Sequence, residues 1–134
     1  MNYYFVWEPE TELITRWREL TGKPFMITEF YLKGADSGLP NTAGAGRTGK
    51  TQTDRADFYS TYVLRLIESG SCVGWSWLQY WDNDPTSGTS DAPSPNANKG
   101  IYTTAFQPYT VLTDRMSQVN RLMYTLADHF DARQ

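Results

Sequence analysis

The sequence predicts an α/β fold in which three strands alternate with three helices along the 134 residues. Two observations carry this prediction. Candidate strands and amphipathic helices follow one another in the order β-α-β-α-β-α, and the second strand is apolar on both faces. A strand of that kind is typical of a parallel sheet covered by helices, so right-handed crossovers are expected. We expect a single domain over residues 1–134.

The first unit opens with a run of aromatic and β-branched residues over 3–7, which predicts a strand. Pro9 fits the first position of the helix that follows. Its apolar residues recur at helical spacing until Gly22, a good helix terminator. The second strand covers residues 24–31 and is almost entirely apolar.

The second unit continues with a Gly-rich loop over 32–51. A strong amphipathic helix is predicted over 54–69, with its apolar residues on one face and Gly70 at its end. The third strand covers 72–80 and is again rich in aromatic residues.

The last unit contains a polar loop over 82–108 with four prolines, followed by a helix from 109 to about 130. A loop of that length is too long for a simple connector and favours a functional role. Three βα units alone leave two open sheet edges. They therefore fit best as the C-terminal segment of a (β/α)8 barrel.

Aromatic residues make up 15% of the chain, including nine Tyr and five Trp. One interpretation is a core built from large rings. The other is a carbohydrate site, because sugar rings present flat C–H faces that stack on Trp and Tyr. The net charge of −3 gives no support for a nucleic-acid or membrane-surface partner.

Cysteine and histidine occur once each, as Cys72 and His129. A Cys/His metal site, a Ser-His-Asp triad, a Cys-His pair and an internal disulfide are therefore close to excluded. We predict no metal and no cofactor. No apolar run reaches the roughly 18 residues of a membrane span. The N-terminus lacks the features of a signal peptide, so the sequence does not indicate a compartment.

Glu29 is the most informative residue, because it lies near the C-terminal end of an otherwise apolar strand. Period-two geometry predicts that Phe25, Ile27, Glu29 and Tyr31 share one face. A carboxylate among apolar neighbours is costly unless it is paired or functional. Active sites of barrels lie at the C-terminal ends of their strands. The alternative is a Glu paired with an Arg or Lys.

Several side chains near the ends of the second and third strands are candidates for substrate binding. Trp75 and Trp77 share a face of the third strand, where either could form the floor of a sugar subsite or a core indole. Tyr31, Gln79 and Asn83 could form hydrogen bonds with sugar hydroxyls.

The segment Gly44–Thr51 matches the phosphate-binding pattern GxxxxGK[ST], and a helix follows it. In such a loop, backbone amides and the Lys hold phosphates at a helix N-terminus. The motif should follow a buried strand directly, yet a polar loop separates it from Tyr31. The expected alternative is a Gly-rich surface loop with a capping Thr.

Residues 23–59 resemble the seventh-strand region of β-agarases, which are clan-A retaining glycoside hydrolases with an eight-fold barrel. The residues that carry the resemblance are Glu29-Phe30-Tyr31, Lys33-Gly34, Asp36-Ser37-Gly38-Leu39, Gly44-Ala45-Gly46, Thr51-Gln52, Asp54-Arg55 and Phe58-Tyr59. Further segments resemble the eighth strand, closing loop and last helix: Val73-Gly74-Trp75 to Tyr80, Asp82-Asn83-Asp84-Pro85, Asn98-Lys99-Gly100-Ile101 and Pro108-Tyr109.

The resemblance implies that the chain holds the sixth to eighth strands of such a barrel and their helices. Glu29 then matches the catalytic nucleophile of a double displacement, and Trp77 or Trp75 matches the aromatic lining the cleaved-sugar subsite. The acid/base Glu of this clan lies on the fourth strand, which does not precede Glu29 here. We therefore expect a fragment that is inactive alone.

The implied substrate is an oligo- or polysaccharide of the β-linked galactan class, and the longer enzyme would be secreted or periplasmic. Arg47 and Gly49 depart from the family pattern, which has a large aromatic and a β-branched residue there. The open sheet predicts a homo-oligomer or a missing N-terminal barrel portion. Two alternatives remain, namely a carbohydrate-binding module without turnover and a nucleotide binder that uses Gly44–Thr51.

Overall fold

A computed structural model describes residues 1–84, 86 and 95–133. The helices are α1 (Thr11–Thr21), α2 (Gln52–Glu68) and α3 (Thr110–Asp131), with a 3-10 turn at Ala35–Ser37. The strands are β1 (Phe25–Phe30), β2 (Lys33–Gly34), β3 (Thr48–Gly49) and β4 (Cys72–Trp77). The mixed α/β class is therefore confirmed. Part of the predicted loop 82–108, namely residues 85 and 87–94, lies outside the described residues.

The main sheet pairs β1 and β4 in parallel, as expected for strands joined by a helix. The N-terminal segment, residues 1–7, lies along the other edge of β1. Its Met1 carbonyl accepts from the amide of Thr28 at 2.8 Å, and the amide of Tyr3 donates to the Glu29 carbonyl at 3.0 Å.

The prediction of a strand over residues 3–7 is wrong, because the structure has no strand there. The ladder contact is a single parallel bridge between Asn2 and Glu29. Phe5 has a φ of 66°, in the left-handed region, and this conformation turns the chain away from β1. The rest of the segment is thus free to pack elsewhere.

Local capping chemistry sets the helix boundaries. Helix α1 begins two residues after Pro9 and ends at Gly22, which has a φ of 58° and donates its N–H to the Arg18 carbonyl. Helix α2 begins two residues earlier than predicted, because Thr51 and Asp54 form a capping box.

The core lies between the main sheet and the helices, and it is aromatic. The ring of Phe30 stacks on Tyr62 with centroids 4.3 Å apart, and Phe58 and Trp77 contact it at an angle. Helix α3 packs on α2, where the Tyr59 hydroxyl donates to Asn120 at 2.7 Å. Each large ring buries about 150–250 Å², so this cluster supplies much of the apolar burial of the fold.

The opposite face of the main sheet is open to solvent within the described residues. Met26 is 45% exposed and Val73 is 73% exposed, and their neighbours Thr28 and Ser76 are also exposed. Parallel sheets are normally covered on both faces. The second face is therefore a surface that residues 1–84, 86 and 95–133 leave uncovered.

None of the described helices combines the length and the apolar character that crossing a bilayer requires.

Candidate active site

The Glu29 carboxylate lies at the C-terminal end of β1 and is held by the N-terminal segment. The Tyr4 hydroxyl donates to Oε2 at 2.5 Å, and Asn2 Nδ2 donates to the same oxygen at 2.8 Å. Hydrogen bonds to a carboxylate are about twice as strong as neutral ones. The carboxylate is thus oriented by residues more than 20 positions away in sequence, and both donors bind one of its two oxygens.

The strand parity around Glu29 differs from the sequence prediction. The pairing register of β1 and β4 shifts between Ile27 and Phe30. Phe25 and Ile27 face the core as predicted, but the next core residue is Phe30, which is fully buried. A register irregularity of this kind redirects side chains. The Glu29 carboxylate consequently meets Asn2 and Tyr4 rather than the aromatic core.

Tyr31 follows β1 and is buried beside the carboxylate's partner. Its ring contacts the Tyr4 ring edge-on at 5.3 Å, and Lys99 Nζ lies 5.4 Å from its centroid. Gly46 packs closely against the same ring, where a Cβ atom would lie 2.4 Å from a Tyr31 ring carbon. Position 46 therefore requires glycine, because the Tyr31 ring lies too close to the backbone there for a side chain.

Lys33, two residues after Tyr31, is also buried. Lys33 Nζ donates to the Ala43 and Gly44 carbonyls at 3.0 and 3.3 Å. Burial lowers the pKa of Lys33, and the nearby charge of Lys99 lowers it further. Two buried lysines, Lys33 and Lys99, thus lie close enough in this region to interact electrostatically.

Trp75 and Trp77 pack towards α2, away from the carboxylate's partners. Trp75 Nε1 donates to the Tyr59 hydroxyl at 3.0 Å, and Trp77 Nε1 donates to the Lys99 carbonyl at 2.7 Å. The Trp77 ring also contacts Phe30 and the other core aromatics. This geometry favours the core role that sequence reasoning kept as the alternative; sugar contact by either ring stays a prediction.

Gln79 and Asn83 are brought together at the C-terminal end of β4. Gln79 Nε2 donates to Asn83 Oδ1 at 2.5 Å and to the Trp81 carbonyl at 2.7 Å. Asn83 is buried. The two amides thus bind each other in this structure, and their contact with sugar hydroxyls stays a prediction.

Sequence reasoning missed a buried polar network beneath this end of the sheet. Asp82 accepts from the Asn98 side chain at 2.9 Å, from the Gly100 amide at 2.8 Å and from the Tyr109 hydroxyl at 2.5 Å. Burial raises the pKa of Asp82, while these hydrogen bonds oppose the shift. The signal was present in Asn98-Lys99-Gly100 and Pro108-Tyr109, which were recognised only as parts of a resemblance.

Arg55 completes the network from α2. It is fully buried and donates to the Leu32 carbonyl at 2.8 Å, to Gln52 at 2.7 Å and to the Gly100 carbonyl at 2.7 Å. Its guanidinium lies 5.4 Å from the Trp77 ring and 5.2 Å from the Tyr109 ring. Burial lowers the pKa of Arg55 to about 10. Arg55 therefore joins the loop after β1, helix α2 and the loop before α3.

The amides at the end of the segment Gly44–Thr51 are already hydrogen-bonded within the chain. The amides of Lys50 and Thr51 donate to Asp54 Oδ2 at 2.7 and 2.9 Å. The amide of Gln52 donates to Asp36 Oδ2 at 3.0 Å. Carboxylates of the chain thus occupy the positive end of α2. No observation favours the nucleotide-binding alternative.

Across residues 1–84, 86 and 95–133, no group of three or more His, Cys, Asp or Glu residues is placed to hold a metal ion.

The sequence and fold were compared with those of known proteins. No family model matches the chain. Beta-agarase B of Vibrio sp. (strain JT0107) is 32% identical over 104 residues, and beta-agarase A of the same organism is 32% identical over 106 residues. The relatives of this chain are β-agarases. The matches include 78% and 79% of this chain, which spans about a tenth of the length of either agarase (10%).

Solved structures give the same result. The crystal structure of BpGH50 superposes with a TM-score of 0.87 at 39% identity, over 98% of this chain and 26% of that one. An exo-beta-agarase superposes with a TM-score of 0.80 at 28% identity, over 94% of this chain and 16% of that one. The agarase AgWH50C superposes with a TM-score of 0.81 at 25% identity, over 94% of this chain and 19% of that one. The resemblance to β-agarases is confirmed, and the chain corresponds to a small part of them.

Proposed function

We propose that the chain carries the nucleophile's half of the active site of a retaining glycoside hydrolase that acts on agarose or a related β-linked galactan. The supporting observation is the Glu29 carboxylate at the end of a parallel strand, oriented by Tyr4 and Asn2. The agarase relatives supply the substrate class. In this proposal β1 and β4 are the seventh and eighth strands of a (β/α)8 barrel, and the N-terminal segment belongs to the sixth.

The proposed step is attack by Glu29 on the anomeric carbon of the sugar. Both donors bind Oε2, which leaves Oε1 as the attacking oxygen. The bond to Oε1 forms while the glycosidic C–O bond breaks, and the leaving oxygen takes a proton from a second carboxyl. Water activated by that second group then releases the sugar with retained configuration. Tyr4 acts here as a positioning residue.

The second carboxyl of a retaining site lies about 5 Å from the first. Glu8, Glu10 and Glu12 follow the N-terminal segment, and Glu8 is ion-paired with Arg65 at 3.0 Å. The family that the sequence resembles has its acid/base Glu on an earlier strand, so we assign this group to chain outside these 134 residues. Turnover of unactivated oligosaccharides by this chain alone is expected to be negligible.

A trapping experiment tests the nucleophile without the missing acid. A fluorinated β-galactoside with a dinitrophenyl leaving group requires no proton donor and forms a stable glycosyl-enzyme. We expect a covalent adduct on Glu29, located by peptide mass spectrometry, and no adduct in Glu29→Gln. Tyr4→Phe removes one of the two hydrogen bonds that orient the carboxylate. Misplacement of a reacting group by about 1 Å can cost about a hundredfold in rate, so trapping should slow by about tenfold to a hundredfold.

Circular dichroism of each variant must show the wild-type fold. An adduct on any other carboxylate, or none on a folded wild-type chain at saturating reagent, would overturn the assignment of Glu29. Unchanged trapping in Tyr4→Phe would leave the nucleophile in place and refute only the positioning role.

A further inference from the structure

A pocket separate from the Glu29 carboxylate lies between the end of the N-terminal segment and the start of α2. It has a volume of about 510 Å³, within the range of about 300–1,000 Å³ typical of small-molecule sites. Trp7 forms one wall and is 49% exposed, and its ring meets the buried Phe58 edge-on at 6.3 Å. Polar residues form the rim: Thr48, Lys50, Asp57 and Thr61.

We propose that this pocket binds one sugar unit of a galactan chain, as a subsite remote from the bond that is cleaved. The chemistry of the lining supports this occupant. A half-exposed indole offers a flat face for the C–H face of a pyranose, and the hydroxyl, carboxylate and ammonium groups on the rim can both accept and donate hydrogen bonds to sugar hydroxyls.

The charges around the pocket disfavour an anionic ligand. Asp54 and Asp57 both line it, and Asp54 already accepts the amides at the N-terminus of α2. Asp57 is paired with Arg115 at 2.9 Å, which fixes its orientation on the rim. A phosphate would meet two carboxylates against the single ammonium of Lys50, whereas a neutral polyol would not be repelled.

The position of the pocket connects it to the candidate active site. Trp7 follows Tyr4 by three residues, so their Cα atoms are at most about 10 Å apart. Arg47 Nε donates to the Phe5 carbonyl and ties this part of the segment to the loop before β3. One oligosaccharide could therefore reach from Glu29 to Trp7. The identity of the sugar rests on the proposed function, whereas the pocket does not.

The test is a titration of the isotopically labelled chain with an agarose-derived tetrasaccharide, followed through the indole N–H resonances. We expect the Trp7 signal to move most, because the N–H groups of Trp75 and Trp77 are hydrogen-bonded internally. Loss of a stacked Trp should weaken binding at least about fivefold in Trp7→Ala. Thr61→Leu, which narrows the pocket and keeps the indole, should weaken binding similarly.

Tyr124→Ala is the matched control, because Tyr124 is a 78% exposed aromatic on α3 and does not line the pocket. Binding lost in Tyr124→Ala, or retained in both Trp7→Ala and Thr61→Leu, would overturn the proposal. Equal affinity for a cellulose-derived tetrasaccharide would overturn its galactan specificity. The trapping experiment reports on Glu29 and the titration reports on Trp7, so failure of the nucleophile assignment and failure of this pocket give different results.

Discussion

Replacement of Arg55 by Met should cost much of the stability of this chain. The side chain is fully buried, and its three hydrogen bonds end on groups that would lose their donor: the Leu32 and Gly100 carbonyls and Gln52. Each buried acceptor left unsatisfied costs about 1–3 kcal/mol. Asp82 would also lose a compensating positive charge.

Part of this cost is offset, because folding removes the charged guanidinium of Arg55 from water at a penalty that the uncharged Met side chain does not have. Burial already lowers the pKa of Arg55 to about 10, which shows that the charged form is destabilised in the fold. Breaking a buried charged network by removal of one partner typically costs about 3–5 kcal/mol. We therefore expect a loss of about 3 kcal/mol or more in the free energy of unfolding, a large share of the 5–15 kcal/mol typical of a domain.

The control is Arg65→Met in the same helix. Arg65 pairs with Glu8 and Glu68 at 3.0 and 2.9 Å, but its side chain is 43% exposed, so the change should cost no more than about 1 kcal/mol. Urea denaturation followed by circular dichroism measures both variants. With a slope of about 2 kcal/mol per molar urea, the Arg55 variant should unfold roughly 1.5 M earlier than the wild type. Midpoints of the two variants within experimental error of each other would refute the reasoning.

Two further predictions concern alkaline stability and association. Burial raises the pKa of Tyr62, so its stabilisation is complete below pH 10 and is lost at higher pH, where the unfolded chain ionises first. Tyr62→Phe removes the hydrogen bond to the Tyr3 carbonyl and should lower the free energy of unfolding by about 1 kcal/mol at neutral pH. The variant should also lose less stability than the wild type as the pH rises above 10. An equal dependence of unfolding free energy on pH in both proteins would contradict this. The open sheet face predicts that the chain self-associates at micromolar concentration. The double substitution Met26→Lys and Val73→Lys should abolish this association, as measured by sedimentation. A wild-type chain that sediments as a monomer would contradict the prediction.

The elements predicted best are those whose signals are local. The apolar stripe of α3 repeats at helical spacing, and helix and prediction agree within a residue at either end. The apolar pattern predicts that α2 begins two residues later than it does in the structure. Its true start is set by the capping box that Thr51 and Asp54 form. The strand over 24–31 is predicted because it is apolar on both faces apart from Thr28 and Glu29.

Other features depend on contacts between residues far apart in sequence. Strands β2 and β3 each have two residues and pair across a loop, so neither has a periodic pattern to detect. The Asp82 network joins side chains from three segments of the chain. The direction of the Glu29 side chain depends on the register between β1 and β4, which a single strand's alternation does not encode.

The N-terminal segment shows how much of the candidate site depends on such a contact. It has one bridge to β1, yet it supplies both donors to Glu29 and the indole of the proposed sugar pocket. Tyr62 also fixes it from the core, since its hydroxyl donates to the Tyr3 carbonyl at 2.8 Å. A ligand that orders Trp7 would therefore favour the segment conformation in which Tyr4 holds the carboxylate. Binding at the pocket and orientation of the nucleophile are then two effects of docking the same seven residues.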